Sequence, residues 1–108
     1  MEDKKFEPGE VKALAGLVSY QRDSIVSRML INKPQGSVTL FALAEGQSIA
    51  EHKTPYDAMA NIIEGEAEII ISGKTYAVKA GEVLVMPAND PHALNARQSF
   101  KMLLTMIK

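Results

Sequence analysis

The chain of 108 residues has no cysteine. That excludes disulfides, thiolate nucleophiles and zinc–thiolate centres. It also has no basic cluster: 12 Lys and Arg stand against 13 Asp and Glu, for a net charge of −1. Nucleic acid is therefore not an expected partner, because phosphate binding needs concentrated positive charge. No apolar run approaches the ~20 residues a membrane helix requires. Met1-Glu2-Asp3-Lys4-Lys5 leads into no apolar signal segment, so a cytoplasmic, non-membrane protein is expected. Gly-rich phosphate loops, Ser–His–Asp patterns, internal repeats and low-complexity linkers are all missing. Histidine is scarce, with only two in the chain.

What remains reads as one domain over residues 1–108, mostly strand. Residues 1–9 are polar and end in Pro8-Gly9, the composition of a loose tail. Val11, Leu14, Ala15 and Val18 recur at helical spacing, which predicts a short N-terminal helix ended by Gly16. From Ile25 onward the period changes, and residues 25–108 predict a β-barrel. Strands are expected over 25–31, 38–43, 59–64, 67–71, 75–78, 83–86 and 100–107. Pro, Gly, Ser and Asn separate them. Short strands at such spacing argue for an all-β sandwich or barrel. Val38–Leu43, Val83–Met86 and Met102–Ile107 are apolar on both faces. One face of a strand in a small antiparallel barrel normally meets water, so a second covering layer is expected. A homodimer is its natural source, and the N-terminal segment is the alternative.

Two stretches carry a pattern. Gly46 is followed by five residues and His52, then Thr54, Ala58 and Gly65, with Ile62-Ile63-Glu64-Gly65-Glu66-Ala67 as a hairpin-like text. Further on come Gly81, Pro87, Asn89, His92 and Ala96. Their spacing resembles the two motifs of the cupin superfamily, and the short gap between them resembles its compact bacterial members. The resemblance implies an antiparallel jelly-roll (cupin) β-barrel, frequently a homodimer, with a pocket at one end. The chain departs from the pattern in four places. Thr54 replaces the second His, Ala58 the Glu, Asn89 a Gly and Ala96 the Asn. The rigid Pro87-Ala88-Asn89-Asp90-Pro91 loop delivers His92 to the next strand.

The resemblance makes His52 and His92 the candidate catalytic or metal-ligating residues. Carried over residue by residue, the family's divalent metal site (Fe, Mn, Zn or Ni) keeps only those two ligands. Asp57 is the candidate third, although strand alternation turns both it and Glu51 away. A catalytic metal normally has at least three protein ligands. The reading preferred here is a small-molecule-binding cupin. Its expected pocket is lined by Ala58, Ala60, Ile62, Val85 and Leu94, with His52, Thr54 and His92 as polar groups and Tyr56 at the rim. The small Ala58 is expected to leave volume for a ligand. The first alternative is a cupin enzyme: a metal-dependent oxygenase, isomerase or decarboxylase acting on a small acid or sugar derivative. Without metal, His52 or His92 would be its general acid or base, oriented by Asp57 or Tyr56. The other alternative is a regulatory or interaction subunit with a vestigial pocket. Glu64, Glu66 and Glu68 read as a solvated strand face, and the strand methionines as core filling.

Overall fold

The computed structural model describes residues 7–108. A single 3₁₀ turn, Leu14–Leu17, precedes nine strands. In chain order they are β1 (Ile25–Lys33), β2 (Gly36–Leu43), β3 (Ser48–His52), β4 (Asp57–Glu64), β5 (Glu66–Ile71), β6 (Lys74–Lys79), β7 (Val83–Met86), β8 (His92–Asn95) and β9 (Phe100–Ile107). They form a five-stranded sheet, β1-β2-β9-β4-β7, and a four-stranded sheet, β3-β8-β5-β6. All pairings are antiparallel. This is the expected all-β jelly-roll barrel. The N-terminal helix is corrected to that one 3₁₀ turn. Val11, counted in the helical period, is fully exposed, and only Val18 is buried. Of the loose-tail expectation, residues 1–6 lie outside the described residues, and residues 7–9 are exposed and turn at Pro8-Gly9.

Local chemistry accounts for the hairpins. Ser72 and Gly73 both have positive φ, 48° and 83°, as a two-residue turn with right-handed strand twist demands. Gly65 (φ 79°) carries the chain from β4 in one sheet to β5 in the other. There the backbone runs so close to Ser99 and Phe100 that a Cβ would collide with the Ser99 carbonyl oxygen. Expectation missed β3 altogether. Its sequence, Ser-Ile-Ala-Glu-His, has one strong strand former, and a bulge interrupts its pairing between Ile49 and His52.

Between the sheets lie Leu43, Ile62, Ile69, Met86, Phe100 and Met102, each at most 1% exposed. The methionines divide: Met86 and Met102 fill the core, while Met29 and Met59 are exposed. The outer face of the five-stranded sheet is covered in part by the N-terminal segment. Val18 joins Leu40 and Ala42 in a second buried cluster, with Leu14, Leu17 and Leu103 packed against it. Lys101, 9% exposed, fastens this cover. Its Nζ donates to the Ala15 carbonyl at 2.6 Å, lies 3.7 Å from Glu64 Oε2 and sits 5.1 Å from the Tyr20 ring centroid. Arg28 donates to the Leu17 carbonyl at 3.3 Å. Met59, Val83, Val85 and Ile107 on the same sheet remain exposed.

Gly46 and Gly65, both at motif positions, separate backbone strain from close approach. Both have positive φ, but a Cβ on Gly46 would meet nothing within 4 Å. Gly46→Ala is expected to cost about 1 kcal/mol from backbone conformation alone. Gly65→Ala should cost at least ~2 kcal/mol, because overpacking adds to it. Urea unfolding of both variants checks this, and equal losses would exclude the close approach as a cause.

Candidate functional site

Register brings the two histidines together. β3 and β8 are neighbours, and His52 is the cross-strand partner of His92. The bulge in β3 resets the alternation so that both rings stand on one face. Their centroids are 4.4 Å apart with the planes inclined at 68°, an edge-to-face contact. His92 is 5% exposed, while His52 is open to solvent. Ile71, paired with His92 on the other side, continues the row. The site thus sits at the end of the barrel where the 53–56, 72–73 and 87–91 loops meet.

Those loops are tied together. Asn89, in the left-handed region at φ 70°, donates its N–H to the Thr54 carbonyl at 2.7 Å. Asn thereby takes the place the family pattern gives to Gly, as a short polar side chain permits. Ser72 N–H donates to the Pro91 carbonyl at 2.8 Å. The Ala88 N–H donates to Asp57 Oδ1 at 2.9 Å.

Each imidazole makes the same local bond. His52 Nδ1 is 2.8 Å from the Ala50 carbonyl and His92 Nδ1 is 3.2 Å from the Asp90 carbonyl, in both cases two residues upstream. A carbonyl oxygen only accepts, so the hydrogen in each bond belongs to Nδ1. In the neutral ring that leaves Nε2 with a free lone pair. Burial holds the His92 imidazolium below its ordinary pKa of 6.5, and the neighbouring His52 charge adds to this, while the bond to Asp90 opposes it. His92 is therefore neutral at pH 7.

The other expected site residues fare differently. Thr54 Oγ1 donates to the Tyr56 carbonyl at 3.1 Å and lies 3.3 Å from the Tyr56 N–H, so its hydroxyl shapes the loop. Tyr56 is half-buried. Asp57 is exposed, as alternation predicts, and spends its carboxylate on the Ala88 N–H. Ala58, Ala60, Ile62 and Leu94 do face inward, but at 2%, 0%, 0% and 2% exposure they are packed core. They do not line an open pocket. The volume expected beside Ala58 is not free: its cross-strand partners are Met86 and Met106, and Met86 belongs to the same buried cluster. Val85 is corrected outright. It is 53% exposed on the outer face, because Ala58 pairs with Met86 and Ala60 with Leu84, which puts Met86 and Leu84 inside. Expectation missed Ile71, whereas Met86 was expected as core filling and is found there. Ile71 had a signal, since it directly precedes the Ser72-Gly73 turn and so ends a strand at the mouth.

A divalent metal does not fit this donor set. Two imidazoles are present, Ala58 offers no donor and Asp57 is engaged elsewhere. Among the described residues no three His, Asp or Glu side chains gather closely enough to hold an ion. Three surface hollows lie away from the histidines. One, about 350 Å³, is lined by Gly46, Gln47, Ser48, Glu68, Asn95 and Arg97 among others. Hydrogen bonds from Asn95 and Arg97 hold the Glu68 carboxyl below its usual range there. The others, about 440 Å³ and 90 Å³, adjoin Tyr76. Among the described residues no helix is long and apolar enough to cross a membrane.

The depressed His92 pKa sets a pH dependence. The unfolded imidazole takes up a proton near 6.5 and the folded one only below that. Stability is therefore level above about pH 7 and falls as the pH drops through 6.5 and through the folded value. Thermal unfolding from pH 8 to pH 5 should show this fall. His92→Gln should reduce it, and an unchanged profile in that variant would assign the effect to other groups.

Residues 39–108 match the family model described as the cupin domain. A conserved protein of unknown function from Streptococcus pyogenes is 40% identical over 100% of this chain and 95% of its own, with a TM-score of 0.92. A Cupin 2 conserved barrel domain protein from Leptotrichia buccalis is 42% identical over 87% of this chain, with a TM-score of 0.85, and the match spans 46% of that longer protein. A cupin superfamily protein from Desulfitobacterium hafniense is 26% identical over 99% of this chain and 98% of its own, with a TM-score of 0.89. No curated protein matches.

Proposed function

Because the chain belongs to the cupin family, we propose that it binds a small organic molecule at the barrel mouth, against His52 and His92. The observation that carries this reading is the pair itself. The chain's two histidines face each other at 4.4 Å, with both Nδ1 atoms fixed by backbone carbonyls and both Nε2 atoms left for a visitor. With Ala60 and Ile62 sealed below, the ligand rests in the mouth on the imidazoles, with Tyr56 and Ile71 beside it. A few polar groups over an apolar floor suit a modest ligand.

The metal-dependent enzyme is the lesser reading. The Nδ1-to-carbonyl bonds favour it, since metal-bound imidazoles are oriented in this way. The missing third ligand opposes it. His52→Ala and His92→Ala are the test of both readings. In a thermal-shift screen of small metabolites, compounds that stabilise the wild type should lose their effect in both variants. At a hundredfold excess over Kd the wild-type stabilisation is about 2.7 kcal/mol. Compounds acting equally on all three proteins would place the site elsewhere. After incubation with Fe, Mn, Zn or Ni and passage over chelating resin, metal content should be well below one per chain. A stoichiometric metal lost in both variants would instead favour the enzyme.

We also propose that the exposed strip of the five-stranded sheet is covered by a second copy of the chain. Met59, Val83 and Val85 are exposed there, and the cross-strand neighbours Thr105 of Met59 and Asn61 of Val83 are likewise uncharged. Two such strips meet without like-charge repulsion, as a self-complementary interface requires. Sedimentation should give a dimer, and Val85→Glu should give a folded monomer. A wild-type monomer at high concentration would remove the dimer from the reading.

A further inference from the structure

The hydrogen-bonding sense of the mouth restricts what it accepts. His52 and His92 each commit their Nδ1 hydrogen to a backbone carbonyl, at 2.8 Å and 3.2 Å. A ring so bonded, in its neutral form, presents Nε2 as an acceptor and has no second hydrogen to give. Thr54 gives its hydroxyl hydrogen to the Tyr56 carbonyl, and the Tyr56 phenol can both donate and accept. Asp57 faces outward and accepts from Ala88. Side chains packed below, Ala58, Leu94, Met86 and Ile71, offer no donor. One cation shares the row. Lys74 pairs with Ile71 at the far edge strand, with its ammonium 5.2 Å from the Tyr76 ring centroid.

Resting on the binding reading above, we propose that the ligand is a neutral, hydroxyl-bearing molecule that donates hydrogen bonds to the Nε2 atoms of His52 and His92. A carboxylate or phosphate brings only acceptors toward the two Nε2 acceptors, so with the Tyr56 phenol as its one neutral donor it would recover less of its lost hydration than a hydroxyl-bearing ligand does. A metal ion would need donors that the mouth does not supply. An apolar molecule without a hydroxyl would leave the buried His92 acceptor unpaired. The preferred ligand therefore has an apolar body for the Ile71 side and hydroxyls for the imidazoles. The class follows from which ring nitrogen holds the hydrogen, and that is fixed by the two upstream carbonyls.

Nitrogen NMR of the labelled full-length protein at pH 8 tests this, first without ligand and then with two probes sharing one ring skeleton. The probes are trans-1,2-cyclohexanediol and cyclohexanecarboxylate. Both histidines should show a protonated Nδ1 and an unprotonated Nε2 before any addition. The diol should then shift both Nε2 resonances at roughly tenfold lower concentration than the carboxylate, as two neutral hydrogen bonds warrant. His52→Phe, which keeps a ring and removes an acceptor, should weaken the diol about tenfold and leave the carboxylate unchanged. Either ring protonated on Nε2 in place of Nδ1, or a carboxylate that binds as well as the diol, overturns the proposal while leaving a ligand site in place. If neither probe moves either Nε2, the mouth is not a ligand site, and the binding reading falls with this one.

Discussion

The barrel is referenced to β9. This strand lies in the middle of the larger sheet and pairs along its whole length with β2 on one side and along most of it with β4 on the other. Its pleat fixes which residues of both neighbours face the core. Phe100 and Met102 point inward and draw Leu43, Phe41 and Ile62 into the same rows, while Lys101 points outward. Removing a buried aromatic or methionine from such a position typically costs ~2–5 kcal/mol. The phase of β4, and through it that of β7, follows from β9, so the inward direction of Ala58 and Met86 is decided a strand away from either.

The outward side of the same strand organises the N-terminal segment. A buried ammonium needs partners, because its desolvation is costly when uncompensated. Lys101 finds them in the Ala15 carbonyl, Glu64 and the Tyr20 ring. Burial beside Glu64 in turn drives the Tyr20 phenol pKa upward. These polar contacts hold Leu14, Leu17 and Val18 over Leu40 and Ala42. The cover stops short of Met59, Val83 and Val85, so one sheet face is shared between an intramolecular layer and an open strip. The expectation of a second layer over two-sided apolar strands therefore found one source within the chain.

Much of the site was legible because motifs report spacing, and spacing around a tight turn converts directly into position. Gly46, Gly65, Gly81 and Pro87 punctuate the strands, and they place His52 and His92 at strand ends on the same rim. The substitution of Asn89 for Gly was also readable, since few other residues accept φ 70° there. Asp57 obeyed simple alternation. Val85 and the supposed pocket volume did not yield to the same reasoning. β7 reads Val-Leu-Val-Met, apolar at every position, so its text contains no alternation from which a phase can be taken. The 87–91 loop breaks the count from His92.

The sequence by itself determined most of the strand-and-turn order, β3 excepted, together with the family and the placing of the only two histidines at motif positions. Each depends on residue type at fixed local spacing, which short-range sterics translate into backbone shape. Tertiary structure alone decided that Ala58 borders packed methionine and not a cavity, that Val85 faces out, and that Asp57 and Thr54 serve the loops. It also decided which nitrogen of each histidine is committed, through carbonyls that come within reach only once the β3 bulge and the 87–91 loop are folded. Packing density and hydrogen-bond direction are properties of groups brought together from distant parts of the chain, and no local pattern encodes them.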